Sequence, residues 1–282
     1  MASLPSGAAA TRDPFKMSTM ADKLDTGVAH PARRYNYWLG GKDNFAADRE
    51  SGDLLAKSYP AARIAARANR AFLQRAVGFL AAEAGIRQFL DIGTGLPTAD
   101  NTHDVAQRIA PDSRIVYVDN DPMVMVHARA LLTSSPEGQT RYLEEDLRNP
   151  EKILDSLEIL DLSRPVGLML AAVVHFLPEQ DAAREIVQTL LGALPAGSYL
   201  TMTCATTDFL TPELKANWDE SLRTGRSDVH PRTRTEFAEF FAGLELADPG
   251  IVAIGEWRPD PAAEEHPTPV EASMFGAVAR KN

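Results

Sequence analysis

The sequence predicts an α/β fold, a doubly wound and mostly parallel sheet preceded by a helical segment. Three observations carry this. Short apolar runs alternate with helix-length amphipathic stretches from residue 88 to residue 204, a pattern that demands a parallel sheet covered on both faces. One run, Val166–Ala171, is apolar almost throughout, as suits a strand buried on both sides. The segment Asp91-Ile92-Gly93-Thr94-Gly95-Leu96-Pro97 sets a glycine turn behind an apolar run, and Asp119 follows the next run, Ile115–Val118. Strand, glycine turn, helix and a strand ending in an acid is how such sheets hold an adenosine ribose.

The elements follow in order. Residues 1–29 mix Ser, Gly, Ala, Thr and Pro without periodicity and are expected to form a disordered or extended arm. Residues 30–84 read as a helical cap: an aromatic, glycine-bearing stretch of short helices, then a helix opened by Pro60, carried by Ile64, Ala68, Phe72, Leu73, Val77 and Leu80, and stopped at Gly85. Residues 85–282 read as the core. Strands are expected at 88–91, 114–118, 140–144, 166–171 and 198–204, with helices at 99–109, 122–132, 150–157 and 179–194 between them. The tail reads as helices at 212–223 and 233–241 and strands at 251–254 and 272–279. The last two lack a crossover helix and must pair antiparallel. The total is a seven-stranded, mostly parallel sheet with an antiparallel last strand.

Composition excludes several functions. The chain has 282 residues and a net charge of −10, so it can bury a full core but offers no basic patch for nucleic acid. The single Cys204 rules out an internal disulfide framework and fits a reducing cytoplasm; at the end of a strand it reads as a core residue. No apolar run reaches the roughly 18 residues a membrane span needs. His, Cys and acids show no metal-ligand spacing, so no metal is expected.

The chemistry is expected to lie around the glycine turn. Gly93, Thr94 and Gly95 would let the backbone approach a cofactor closely. Asp91 would repel a pyrophosphate but suits a cofactor bearing an ammonium and a sulfonium, which points to S-adenosylmethionine and away from NAD. Asp119 can accept both ribose hydroxyls, with Asn120 beside it; the alternative role for Asp119 is a helix N-cap. Asp146 could accept the adenine amino group while the Leu147 amide meets a ring nitrogen. Ala171 ends the fourth strand at the crevice. His175, just beyond, is a candidate proton acceptor or a pocket wall. His103 and His127 read as packing or surface residues.

Two segments carry a family resemblance: Pro31–Phe45, containing Tyr35-Asn36-Tyr37-Trp38-Leu39-Gly40-Gly41-Lys42-Asp43-Asn44, and Phe89–Thr98 with Tyr117-Val118-Asp119-Asn120-Asp121-Pro122 behind it. From about His30 onward the chain resembles an actinobacterial family of S-adenosylmethionine-dependent methyltransferases long catalogued as a domain of unknown function. The resemblance implies a Rossmann-like class I methyltransferase fold and that cofactor, but no substrate. It adds weight to Arg34, Tyr37, Lys42, Asp43 and Asn44 as substrate or lid residues over the cofactor's methionine end. The expected function is methyl transfer to a small molecule. A non-catalytic cofactor-binding protein and an NAD-dependent oxidoreductase are the alternatives.

Overall fold

The computed structural model of the protein describes residues 24–131, 134–263 and 266–282. Of the expected arm, residues 1–23 lie outside the described residues; 24–29 are irregular, with a bend at 26–28, before the first helix.

The chain enters through α1 (Pro31–Trp38), α2 (Ala46–Ser58) and the long α3 (Ala62–Ala82). Pro31 at the first helical position and the His30 side chain, which accepts the Ala32 amide, start α1. Asp48 caps α2 by accepting the Phe45 amide at 2.8 Å. Between the two, a side chain on Gly41 would meet the Asn36 amide group at 2.2 Å, so this turn needs glycine. Pro60 falls just outside α3, which begins at Ala62.

The sheet is built from β1 (Gln88–Ile92), β2 (Arg114–Asp119), β3 (Gln139–Glu144), β4 (Gly167–Ala171), β5 (Tyr199–Ala205), β6 (Leu244–Leu246), β7 (Val252–Ala253) and β8 (Met274–Lys281). Its order is β3-β2-β1-β4-β5-β8-β6, with β7 also on β8. The first five strands are parallel; β8 runs antiparallel to β5, and β6 and β7 antiparallel to β8. The helices between strands are α4 (Thr102–Ile109), α5 (Pro122–Leu131), α6 (Pro150–Leu154) and α7 (Gln180–Gly192). After β5 come α8 (Pro212–Arg223), α9 (Arg234–Glu239) and, before β8, α10 (Pro269–Ala272).

The sheet therefore has eight strands where the sequence predicts seven. The extra one, β6, has three residues and is largely exposed, so it shows neither the length nor the apolar alternation of a strand. Helix α4 starts three residues later than expected because Asn101 is its N-cap, in extended backbone, with its own amide accepted by Asp104 at 2.9 Å and its side chain turned back to accept the Thr98 amide. Residue 272, expected to begin the last strand, instead ends α10.

Alternation along the central strands splits the core into two layers. Leu90, Val116, Leu168, Leu170 and Leu200 face α6 and α7; Phe89, Ile115, Tyr117 and Met169 face α3 and α4. Helix α3 thus covers a sheet face, its Phe72, Val77 and Leu80 fully buried, while α1 and α2 sit over the crevice. The chain builds β1, β2 and β3 outward, then crosses back to β4. The crevice between β1 and β4 is where such sheets bind ligands.

Candidate functional site

A cavity of about 470 Å³ lies over the carboxyl ends of the strands and is lined by residues from β1, β2, β4 and β5 as well as from α1, α3 and the loops after β3 and β5. The glycine turn forms its floor. Gly93 has φ +74°, and a side chain there would lie 2.4 Å from Val173 Cγ2; only glycine fits. The Gly93 and Thr94 amides donate to the Val118 carbonyl at 2.8 and 3.3 Å, fixing the turn against β2. Ala172, after β4, has φ +56°, a left-handed conformation costly for a residue with a side chain, held here by its amide donating to Thr203 Oγ1 at 2.8 Å.

The acids converge on this floor. Asp119 is 5% exposed; it accepts the Gly95 amide at 2.8 Å on one oxygen and the Asp121 amide at 2.9 Å on the other. Each oxygen keeps lone-pair capacity for a further donor. Asp119 is not the cap of α5: Asp121 takes that part, accepting the Met123 amide at 2.9 Å. Burial raises the Asp119 pKa, with the two amides and His30 working against it. Burial pushes Asp91 up to about 6, opposed by the Thr102 hydroxyl, which donates at 2.6 Å, and by Arg70. Asp146 lies the other way, held down at about 2, chiefly by hydrogen bonds from the Arg148 side chain and also by Asn120. Asn120, Leu147 and Ala171 line the cavity with them.

His175 is buried in the same wall. Its Nδ1 accepts the Ala205 amide at 3.3 Å, which leaves the proton on Nε2 of the neutral ring. Burial drives its pKa down to about 3, so the ring is neutral at ordinary pH and a poor proton acceptor. Among the lid candidates, Arg34 lines the cavity but Tyr37, Lys42, Asp43 and Asn44 do not. The Tyr37 hydroxyl donates to Asp53 on the outer surface, and Arg63 packs over its ring. Asp43 lies 3.7 Å from His127, and Asn44 donates to Asn36 and the Gly41 carbonyl. These residues shape a turn; the cap faces the cavity instead through His30, Tyr35 and Trp38.

Sequence reading missed Asn69 and Arg70, whose side chains come from α3. Asn69, only 3% exposed, accepts from Thr203 Oγ1 at 2.6 Å and donates to Tyr35 Oη at 3.0 Å. This joins α1, α3 and β5 behind the cavity. The available signal was an asparagine on the apolar stripe of α3, four residues after Ala65 and three before Phe72.

A family model described as S-adenosyl methyltransferase matches residues 17–282. The chain belongs to that family. It is an S-adenosylmethionine-dependent methyltransferase, which removes the oxidoreductase alternative. Among solved structures it is similar to a DUF574 family protein from Streptomyces avermitilis MA-4680, at 49% identity over 92% of this chain and 99% of that one, TM-score 0.85. It is similar too to a candidate methyltransferase from Thermobifida fusca YX, at 40% identity over 92% and 97%, TM-score 0.82. An O-methyltransferase family protein from Burkholderia thailandensis, at 17% identity over 83% and 63% with TM-score 0.50, shares the fold. No curated protein matches.

The residues present fit the methyltransferase cofactor. Asp91 and Asp119 are buried at the ends of adjacent strands, and neither forms an ion pair with a described residue, so both have charge and lone pairs to offer a cationic, hydroxyl-bearing ligand. A pH dependence follows. A cationic amine favours ionised Asp91, while below pH 6 the empty site holds a proton there that binding must expel. Affinity for S-adenosylhomocysteine should be flat above about pH 6 and fall up to tenfold per pH unit below it. Calorimetry from pH 5 to 8 checks this, and Asp91→Asn should flatten the profile.

Proposed function

We propose that this methyltransferase acts on a small-molecule acceptor in the cytoplasm, with its cofactor lying across β1, β2 and β4. The observation that carries the reading is the convergence of acids from the ends of β1 and β2 and from the loop after β3 on one cavity. In this reading Asp91 and the Gly93–Gly95 turn hold the methionine end, Ala171 borders it, Asp119 with Asn120 holds the ribose, and Asp146 with the Leu147 amide holds the adenine. The cofactor supplies an electrophilic methyl group: its S–CH₃ bond breaks with the electron pair left on sulfur as the acceptor's lone pair forms the new bond.

The protein's own part is positioning and exclusion of water. Segment 30–59 acts as the cap: α1 closes the cavity with Tyr35 and Trp38, and desolvation favours a reaction that disperses sulfonium charge. The acceptor's proton passes to solvent, because His175 is too weak a base to take it. Replacing His175 by asparagine, whose side-chain oxygen can accept the Ala205 amide in place of Nδ1, should therefore leave the shape of the rate–pH profile unchanged. Loss of an acidic limb, the fall in rate as pH drops from 7 to 6, with a rate drop beyond 100-fold, would restore His175 as the base. The reading as a whole is tested by calorimetric titration with S-adenosylhomocysteine: a saturable one-site isotherm is expected, and its absence would sink it.

A further inference from the structure

The cavity changes character between its two ends. At β1, β2 and the loop after β3 its walls carry four acids, Asp91, Asp119, Glu145 and Asp146, around the glycine turn, with Arg148 beside Asp146. At the end of β5, on the far side of β4, they are rings from four separate elements: Trp38 of α1, Tyr59 at the end of α2, Phe176 after β4 and Trp218 of α8. These form a cluster of their own, distinct from both sheet-face layers. Tyr59 and Trp218 stand with centroids 5.4 Å apart, tilted by 50°.

The polar edges of these rings are already spent. Trp38 Nε1 donates to the Gly52 carbonyl at 3.3 Å and Trp218 Nε1 to the Val229 carbonyl at 3.1 Å. The Tyr59 hydroxyl donates to the Glu271 and Val270 carbonyls at 2.5 and 3.1 Å. What remains for a ligand is carbon surface. The charge at this end is balanced: Arg34, 4% exposed, bonds Asp228 at 2.5 Å and Ser51 at 3.1 Å, and packs over Trp38.

We propose that this end is the methyl-acceptor subsite and that it selects a flat, uncharged aromatic molecule whose one polar edge, a phenol or arylamine, reaches the Arg34–Asp228 pair. The word acceptor rests on the cofactor reading of the acid end. Flat molecules gain here because stacking on rings needs no hydrogen bond from the wall. Aromatic carboxylates and phosphates are disfavoured because Asp228 already neutralises Arg34, and a second anion would have to displace it.

The test is calorimetry on the full chain with 2-naphthol and 2-naphthoate as probes, with and without saturating S-adenosylhomocysteine. Wild type should bind 2-naphthol at least tenfold more tightly than 2-naphthoate. Trp38→Ala should weaken 2-naphthol about tenfold while S-adenosylhomocysteine affinity stays within twofold. Asp228→Asn, a change at an exposed carboxylate that spares the core, should free the Arg34 charge and raise 2-naphthoate affinity at least tenfold. Failure of 2-naphthol to bind, equal binding of the two probes, or no gain for 2-naphthoate in Asp228→Asn would overturn the proposal even with S-adenosylhomocysteine bound. Binding of 2-naphthol by a protein that does not bind S-adenosylhomocysteine would instead overturn the cofactor reading, and with it the acceptor role.

Discussion

Asp119→Ala should weaken S-adenosylhomocysteine binding roughly 10- to 100-fold, because two charge-assisted hydrogen bonds to ribose hydroxyls are lost at about 1.5–3 kcal/mol each, partly offset by water. The geometry adds a second loss. Asp119 accepts the Gly95 and Asp121 amides, so alanine also removes one tie between the glycine turn and β2, leaving those of Gly93 and Thr94 to Val118. Asp119→Asn grades the two effects: asparagine keeps one carbonyl oxygen for one of the two amides, turns an N–H donor toward the other and cannot accept from both hydroxyls with full charge, so its affinity should fall between alanine and wild type and its melting temperature should drop as well. Unchanged affinity in a folded Asp119→Ala protein would overturn the ribose assignment.

The placement of Asp119 and Asp91 at the cavity could be read from sequence because it depends on local order: a strand, a tight turn and a helix fix where the side chain lands, whatever the rest of the chain does. The strands buried on both faces were legible for the same reason, since Val166–Ala171 has no polar position to mislead. Segment 34–44 was not. A cluster of two tyrosines, two glycines and Lys42-Asp43-Asn44 announces a constraint without saying which side faces the ligand. The helical period decides that: Arg34, Tyr35 and Trp38 turn toward the cavity, while Tyr37 turns out to Asp53. The aromatic end of the cavity was equally hidden, because Tyr59, Phe176 and Trp218 come from distant parts of the chain and meet only once β5 is laid beside β4.

The same separation bears on His175. A histidine just after the fourth strand sits where chemistry happens, but its protonation is set by what encloses it. Here enclosure removes the water that would stabilise an imidazolium, and Arg34 and Arg232 add repulsion. The nearby Asp228 attracts but does not compensate. Its neighbour in function, Asp91, suffers the same desolvation with the opposite result: burial makes the acid harder to ionise, and so more responsive to a ligand that brings a positive charge. Both effects come from what encloses the side chain, and neither can be assigned before the surrounding elements are placed.

Arg33→Met should be the most destabilising single change at the cap. Two carboxylates lie under this side chain: Asp121, 1% exposed, with Oδ2 3.0 Å from Arg33 Nε, and Asp48, fully buried, with Oδ1 3.7 Å away. The nearer contact is close but not aligned as a hydrogen bond, so its contribution is coulombic. Asp48 keeps the His30 and Phe45 amides at 2.8 Å each; Asp121 keeps the Met123 amide at 2.9 Å on its other oxygen, and beside Oδ2 has His30, 3.3 Å away and cationic only when protonated. Methionine fills the volume but leaves buried negative charge without its counter-ion, a loss of about 3–5 kcal/mol. For a chain of this size that lowers the melting temperature by roughly 6–20 °C. Because the Asp121 amide bonds Asp119, cofactor affinity should fall as well, which would make Arg33 the tie through which the cap holds the ribose acid. Adding Asp121→Asn to Arg33→Met should recover part of the stability, since the charge that needed compensation is gone. A drop of less than about 2 °C in Arg33→Met, or a double variant less stable than the single one, would mean that solvent or His30 compensates these acids and that the cap does not depend on Arg33.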